Sequence, residues 1–446
     1  MLFVLGEYRI EGRRAAEIAA SVERAVGSGE LEPGQLLPPM RELATGLGVN
    51  PNTVAAAYRI LRERGVIETA GRRGSRVRPR PATTGREFVR VHVPEGVRDV
   101  ASGNPDPALL PSLAKAFSAA GEHADREPVL YGDDAVEPEL ARLARAGLDA
   151  DGVPDGPLAV ASGSLDAIER VLVTHLKPGD TVAVEDPGWG SLLDLIPALG
   201  LRMVPVGVDD EGPLPGDVRR ALDSGVRALI VTDRVQNPTG AVVSAARARA
   251  LRSELRRHPE ILLIEDDHGH GIVDVPVHPL AGLTRHWAFV RSVAKAYGPD
   301  LRLAVLTGDE VTVDRVRGRQ RLGAGWVSRI VQRAVVRLWA EGAVDPAAVA
   351  ATYGRRRELL IGALAERGIA AQGRSGLNVW IPVPDETGAV ARLLHAGWAV
   401  APGARFRTGA PPGIRVTTST LTEEEVGPLA DAVAAALGPG PARSYV

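Results

Sequence analysis

Five short apolar runs recur through the chain: "LAVAS" (158–162), "TVAVED" (181–186), "ALIVTD" (228–233), "ILLIED" (261–266) and "WAFVRS" (287–292). Stretches of helical spacing separate them. Each run is too short for a helix and nearly continuous in its apolar residues, as in a strand buried on both faces. That combination predicts an α/β domain with a mostly parallel sheet covered by helices. In such sheets ligands bind at the carboxyl ends of the strands, so the residues that follow each run are the informative ones.

After "LAVAS" come Gly163 and Ser164, directly before a helical stretch. A glycine, a hydroxyl and a helix N-terminus form an anion site. "TVAVED" leads to "PGWG", which puts Trp189 at the mouth of the site as a stacking platform. "ALIVTD" leads to "QNPTG", with the amide of Asn237, and "ILLIE" ends in Asp266, Asp267 and His268. "WAFVRS" ends in Ser292, with Lys295 just beyond and Arg302 seven positions further on.

Lys295 stands out because the chain has only three lysines, Lys115, Lys177 and Lys295, against 50 arginines. Lys115 suits a solvated helix face. Lys177 suits a helix end before a Pro-Gly turn, where a cation faces the carbonyl pole. By spacing alone Lys295 is an ordinary turn lysine. Unlike arginine, however, a desolvated lysine can lose its proton and attack a carbonyl. A phosphate cradle, an aromatic ring, a carboxylate and a lysine at one sheet edge match the needs of pyridoxal phosphate: a Schiff-base lysine, a carboxylate on the pyridinium nitrogen, a donor to the phenolate oxygen, a stacking ring and a phosphate cup. The alternative for "EDDHGHG" is a divalent metal site built from Asp266, Asp267, His268 and His270. It leaves Lys295 and the cradle unexplained, and no metal is expected.

The first eighty residues have a different pattern. Ile18, Val22 and Val26 lie four apart, and Met40, Leu43, Ala44 and Leu47 share one helical face. A third helix is predicted from Asn50 as N-cap and Pro51 as first residue, with Val54, Ala57, Tyr58 and Leu61 inward and Asn52, Thr53, Arg59 and Arg62 outward. A tight turn between two short helices is a helix-turn-helix, and "VIETAGRRGSRVRPR" adds a hairpin wing. Small residues on the outward helix permit close approach to a groove, asparagine can read an adenine edge, and wing arginines can neutralise phosphates. A helical protein-interaction module would share the pattern. Residues 1–90 hold 15 Arg and 10 Glu without Asp or Lys, a net +5 in a chain whose total is −2. A basic end on an otherwise acidic chain suits an anionic partner.

The run "ELEPGQLLPPMRELATGLGVNPNTVAAAYRILRERGVIETAGRRGSRV" resembles the winged-helix domain of the GntR family of bacterial regulators. The resemblance implies DNA contacts at Arg41, Asn50, Asn52, Thr53, Arg73 and Gly74. Pro51 stands where the family commonly has a basic residue, so the family's operator sequence does not carry over. From about residue 98 onward, "NPTG", "S-x-x-K" and "GPDLRL" resemble fold-type I aminotransferases. By that resemblance Lys295 is the Schiff-base lysine and Asp266 the pyridinium partner, while Asn237 bonds the phenolate oxygen and Trp189 stacks on the ring. Gly163, Ser164, Ser292 and Arg302 hold the phosphate, and Arg415 in "PPGIRVTTSTL" grips a substrate carboxylate. His268 replaces the family's usual tyrosine donor to the phenolate oxygen and is expected to bind the cofactor there, since imidazole can still donate, and Ala294 replaces a frequent serine beside the lysine.

Together these features are similar to the MocR subgroup of GntR regulators, in which a winged helix is fused to an aminotransferase-like domain. The expected organisation is a winged helix-turn-helix over 1–80, a Pro- and Arg-rich linker over 81–97 and a pyridoxal phosphate domain over 98–446, with a small subdomain from roughly 340. The resemblance implies a transcription regulator that binds a double-stranded DNA operator. It would sense pyridoxal phosphate, an amino acid or an amine through aldimine chemistry at Lys295. The alternative is an active aminotransferase acting on an amino acid and a 2-oxo acid. A homodimer is expected, in the family often head-to-tail. The chain has no cysteine, and its N-terminal apolar run of five residues stops at Glu7, too short for a signal peptide or a membrane span, so a cytoplasmic location is expected.

Overall fold

The computed structural model describes residues 3–5, 8–28, 30–63, 66–69, 74–77, 85–86 and 93–438. The chain divides into two units. One comprises Met1–Thr84 with Leu176–Thr181 and Asp194–Arg202, and the other comprises Gly85–His175, Val182–Leu193 and Met203–Val446.

In the first unit three helices, α1 (Ala15–Ser28), α2 (Met40–Leu47) and α3 (Pro51–Glu63), precede an antiparallel pair, Ile67–Thr69 with Ser75–Val77. Ile18, Val22, Leu43, Leu47, Val54, Tyr58 and Leu61 form its core. Burial leaves the Tyr58 hydroxyl donating to the Pro38 carbonyl at 2.7 Å. The turn between α2 and α3 depends on Gly48, whose φ of 64° is costly for residues with a Cβ. Asn50 caps α3 by accepting from the Asn52 amide at 2.8 Å. One expectation is corrected here: Met40 is exposed, because it opens α2 straight after Pro39 and lies beyond the core that Leu43 and Leu47 reach.

The second unit is built on a seven-stranded sheet. Its order is Leu158–Ala161, Ala304–Gly308, His286–Ser292, Leu262–Asp267, Ala228–Arg234, Thr181–Glu185, Arg202–Val206. The pairings of Thr181–Glu185, Ala228–Arg234, Leu262–Asp267 and His286–Ser292 run parallel. Ala304–Gly308 is antiparallel to both of its neighbours. All five apolar runs are strands of this sheet. Ala304–Gly308 and Arg202–Val206 are the two further strands of the seven; Arg202–Val206 lies at the sheet edge, carries Pro205 and is buried only at Val206, so it lacks the doubly buried signature.

A second, smaller core forms around Leu360, Val379, Ile381, Leu393, Ile414, Val416 and Leu429. Its three-stranded sheet joins Asn378–Pro382, Gly413–Thr417 and Ala401–Pro402. The long helix Pro346–Glu366 reaches into both cores. Arg98–Asp99, far away in sequence, pairs in parallel with Trp398–Ala399. Among the described residues no helix is long and apolar enough to cross a membrane.

The carboxyl edge of the large sheet is pinned by buried charge. Arg234 grips Asp267 with two hydrogen bonds, at 2.9 and 2.7 Å, and Arg291 adds a third at 3.0 Å before turning to Asp151. These residues end three adjacent strands. Burial alone would raise the Asp267 carboxyl, but the two guanidinium groups outweigh it and hold the carboxyl well below the usual range. Replacing Asp267 with Asn would leave the buried Arg234 without its anion and Arg291 with Asp151 alone. The expected loss of unfolding free energy is about 3–5 kcal/mol, measured by urea denaturation.

Candidate functional site

Strand register brings the distant motifs together. Ser292 pairs with Ala304, and Ala304 with Ala161, so the ends of "WAFVRS" and "LAVAS" meet at one edge of the sheet. The chain between Ser292 and Ala304 holds a four-residue helix, Ala294–Tyr297, that carries Lys295 in a half-buried position. It continues through a single 3₁₀ turn to Arg302, which adopts the left-handed conformation at φ 43°. That bend lays Arg302 against Gly163: its Nη2 donates to the Ser162 carbonyl at 3.1 Å, and a Cβ on Gly163 would fall 2.7 Å from Nη2. Gly163 is itself at φ 95°. Glycine is therefore needed there for both conformation and space.

Ser164 opens the helix Ser164–His175, and its buried Oγ has no hydrogen-bond partner among the described residues. An arginine, a bare glycine backbone, an unpaired hydroxyl and the open N–H groups of a helix start suit a phosphate. The neighbouring strand end supplies the carboxylate. Asp266 is 2 % exposed; its Oδ2 lies 2.8 Å from His268 Nε2, and its Oδ1 is buried with no partner among the described residues. An unpaired buried oxygen costs on the order of 1–3 kcal/mol, so this edge is built to receive a donor. The two orphaned oxygens, Ser164 Oγ and Asp266 Oδ1, fit the phosphate and the protonated ring nitrogen of pyridoxal phosphate.

Trp189 stands edge-on to His268, with ring centroids 5.2 Å apart at 88°. Asn237 accepts at Oδ1 from Arg415 Nη1 at 2.9 Å, which identifies its NH₂ as the donating side of the amide. Arg415 is 4 % exposed, donates to the Ala101 carbonyl at 2.6 Å and lies over the Phe406 ring at 4.5 Å. Ser292 accepts from the Ala294 amide at 3.3 Å.

Some supporting residues were not anticipated. Asp186 accepts from the Thr408, Gly409 and Ala410 amides and from the Thr408 hydroxyl, which ties the loop beside Phe406 to the strand end before Trp189. Glu185 accepts from the Thr232 amide and hydroxyl and from Gln236. The signal for both was present in "ED" before "PGWG": two acids closing an apolar strand need buried donors. Of the residues of the metal alternative, Asp267 is committed to Arg234 and Arg291, and among the described residues no group of three or more His, Asp or Glu is placed to hold a metal ion.

On the first unit, Arg41, Asn50, Asn52 and Gly74 are exposed and Thr53 is half-buried, all at or near the outward face of α3 and the wing. Gly74 has φ 95°, a conformation that favours glycine. Arg73, and most of the expected linker, lie outside the described residues.

The chain therefore has two functional surfaces, and comparison with known proteins defines the class of each. Residues 14–77 match the bacterial regulatory proteins of the gntR family, and residues 95–433 match aminotransferase class I and II. The chain belongs to the MocR type of GntR regulators, in which these two domains are fused. It is 41% identical over 427 residues to the vitamin B6 salvage pathway transcriptional repressor PtsJ of Salmonella typhimurium, covering 94% of this chain and 98% of that protein. It is 30% identical over 278 residues to the pyridoxine biosynthesis transcriptional regulator PdxR of Corynebacterium glutamicum, covering 60% of this chain and 59% of that protein. A Thermus thermophilus aspartate aminotransferase mutant superposes with a TM-score of 0.67 at 26% identity, covering 78% of this chain and 98% of that one.

Glu185 gives the site a measurable pH dependence. Burial, partly offset by its hydrogen bonds to Thr232 and Gln236, pushes its carboxyl up to about 7. Between about pH 4.5 and 7 the folded chain thus holds a proton that the unfolded chain has released, so stability falls as pH rises through that window. Glu185→Gln removes this contribution. Relative to the variant, the wild type should lose on the order of 3 kcal/mol at most across the window, as read from urea midpoints at each pH.

Proposed function

We propose that the protein is a pyridoxal phosphate-dependent transcription regulator in the cytoplasm, whose winged helix reads an operator while the sheet-edge site reports on ligand. The observation that carries this reading is the pair of orphaned oxygens at Ser164 and Asp266, on the same chain as a DNA-reading helix. When bound, pyridoxal phosphate supplies an aldehyde that can pass between Lys295 and the amino group of a small molecule. Lys295 supplies the amine that anchors it. Asp266 Oδ1 holds a proton on the ring nitrogen, and Trp189 covers the ring. Asn237 donates to the phenolate oxygen, and Gly163, Ser164, Ser292 and Arg302 hold the phosphate. Arg415, oriented by Asn237, Ala101 and Phe406, offers its guanidinium to the carboxylate of an amino acid effector.

The names of the two regulators to which the chain is similar support vitamin B6 genes as targets, and we take pyridoxal phosphate itself as the effector to test. Binding moves the regulator between two states only to the extent that it favours one of them. Operator half-sites call for two readers, so we propose a homodimer as the working form. Asn52 and Thr53 would read bases, while Arg41, Asn50, Arg73 and Gly74 would set the protein on the backbone.

The test is spectroscopic and electrophoretic. Purified protein mixed with pyridoxal phosphate should show a visible band that borohydride abolishes and that Lys295→Ala lacks. Its affinity for DNA from upstream of vitamin B6 salvage and synthesis genes should change with pyridoxal phosphate, and Lys295→Ala should remove that response. A colourless protein, or DNA binding blind to the cofactor, would sink the proposal. Asn52→Ala should cost roughly 1–3 kcal/mol of operator affinity, with little effect on non-specific DNA. The second reading, an aminotransferase, draws on the presence of Arg415 and the full ring-binding set. Sustained stoichiometric amino-group transfer to a 2-oxo acid would favour it, and a single half-turnover or none favours the regulator.

A further inference from the structure

Position 268 holds a histidine where the resemblance to fold-type I aminotransferases implies a tyrosine. A tyrosine would give its only proton to the phenolate oxygen. The imidazole is instead committed to the carboxylate, with His268 Nε2 2.8 Å from Asp266 Oδ2. It is held in that orientation, being 11% exposed and standing edge-on to Trp189 at 88°. Asp266 thus has one oxygen engaged by histidine and the other, Oδ1, buried and open among the described residues. In the neutral tautomer that donates to Asp266, Nδ1 carries no proton and cannot donate to an anionic oxygen. Asn237, whose Oδ1 accepts from Arg415 Nη1, is the other residue assigned to that oxygen.

We infer that His268 is a positioning residue that acts through Asp266: it fixes Oδ2 so that Oδ1 meets the ring nitrogen, and it leaves the phenolate oxygen to Asn237. This rests on the reading that Lys295 holds pyridoxal phosphate. A hydrogen bond to the phenolate stabilises the state in which the lysine-bound cofactor has lost its proton, so a site with one neutral donor keeps the proton, and the visible band, to higher pH. The histidine therefore strengthens holding of the cofactor without adding the second phenolate donor that a tyrosine brings. Lys295, Asp266, Glu185, Arg302 and Arg415 are the other charged and titratable groups of the site, and the test below leaves all of them in place.

The experiment titrates the visible band with pH, and measures the dissociation constant for pyridoxal phosphate, in the wild type and in His268→Phe, His268→Gln and His268→Tyr. The amide of Gln can donate to Asp266 and Phe cannot. His268→Phe should weaken cofactor binding roughly tenfold, as loss of a hydrogen bond to a charged group does, and His268→Gln should restore most of it. The titration midpoint should stay put in both, and His268→Tyr should lower it by about one unit as the phenol reaches the phenolate. A midpoint that rises by about a unit or more in His268→Phe would mean that the imidazole itself serves the phenolate, and the inference fails. It fails equally if Gln binds the cofactor no better than Phe. A wild type without a visible band defeats the cofactor reading, and this inference with it.

Discussion

The carboxylate of Asp267 is the interaction on which the rest of the site depends. It is fully buried and held by Arg234 and Arg291, so the ends of three adjacent strands are locked by charge as well as by their ladder hydrogen bonds. A buried ion network of this kind adds little stability over a well-packed apolar one, but it is costly to disrupt and accepts one arrangement. The arrangement fixes the level at which Asp266 leaves the sheet. Adjacent residues on a strand face opposite sides, so the doublet "DD" is divided: Asp267 is held by the scaffold's arginines, while Asp266 keeps an oxygen without a partner among the described residues.

From that fixed edge the phosphate end of the site follows by register. The antiparallel strand Ala304–Gly308 lies between His286–Ser292 and Leu158–Ala161. A parallel strand in its place would begin at the far edge of the sheet and carry Arg302 away. Running backward, it starts where Ser292 ends, so the short connection between them has to turn over Gly163. The left-handed backbone of Arg302 and the missing side chain of Gly163 are two halves of one close contact. Further round the edge, Val235 is held at φ 59°, unfavourable for a β-branched residue, by a hydrogen bond to Ser375 and close packing on Gly376. That strain lies two residues before Asn237, where the amide must be aimed, and strain of this kind collects at functional sites.

Much of this was legible in the sequence because burial on both faces leaves a strong signal. Strands such as Leu262–Asp267 and Ala228–Arg234 are wholly buried and read as continuous apolar runs. Where burial is partial the signal fades. Arg202–Val206, at a sheet edge and buried only at Val206, was missed, and Met40 fits the apolar face of α2 yet is exposed at its first turn. The pairing of Arg98–Asp99 with Trp398–Ala399 joins residues about three hundred positions apart through main-chain atoms, which carry no sequence pattern.

By itself, the sequence determined the kinds of chemistry that are present: a lysine retained among arginines, a glycine-serine helix start, acids at a strand end and a capped helix with a small outward face. Residue type sets what a group can donate, accept or lose, and local spacing sets which helix or strand carries it. Only the tertiary structure decided how those groups are shared out. It gave Asp267 to two arginines, left Asp266 Oδ1 and Ser164 Oγ without a partner among the described residues, and set His268 against the Asp266 carboxylate. Those assignments depend on distances of about 3 Å between strands that are remote in sequence, and the folded sheet alone sets such distances.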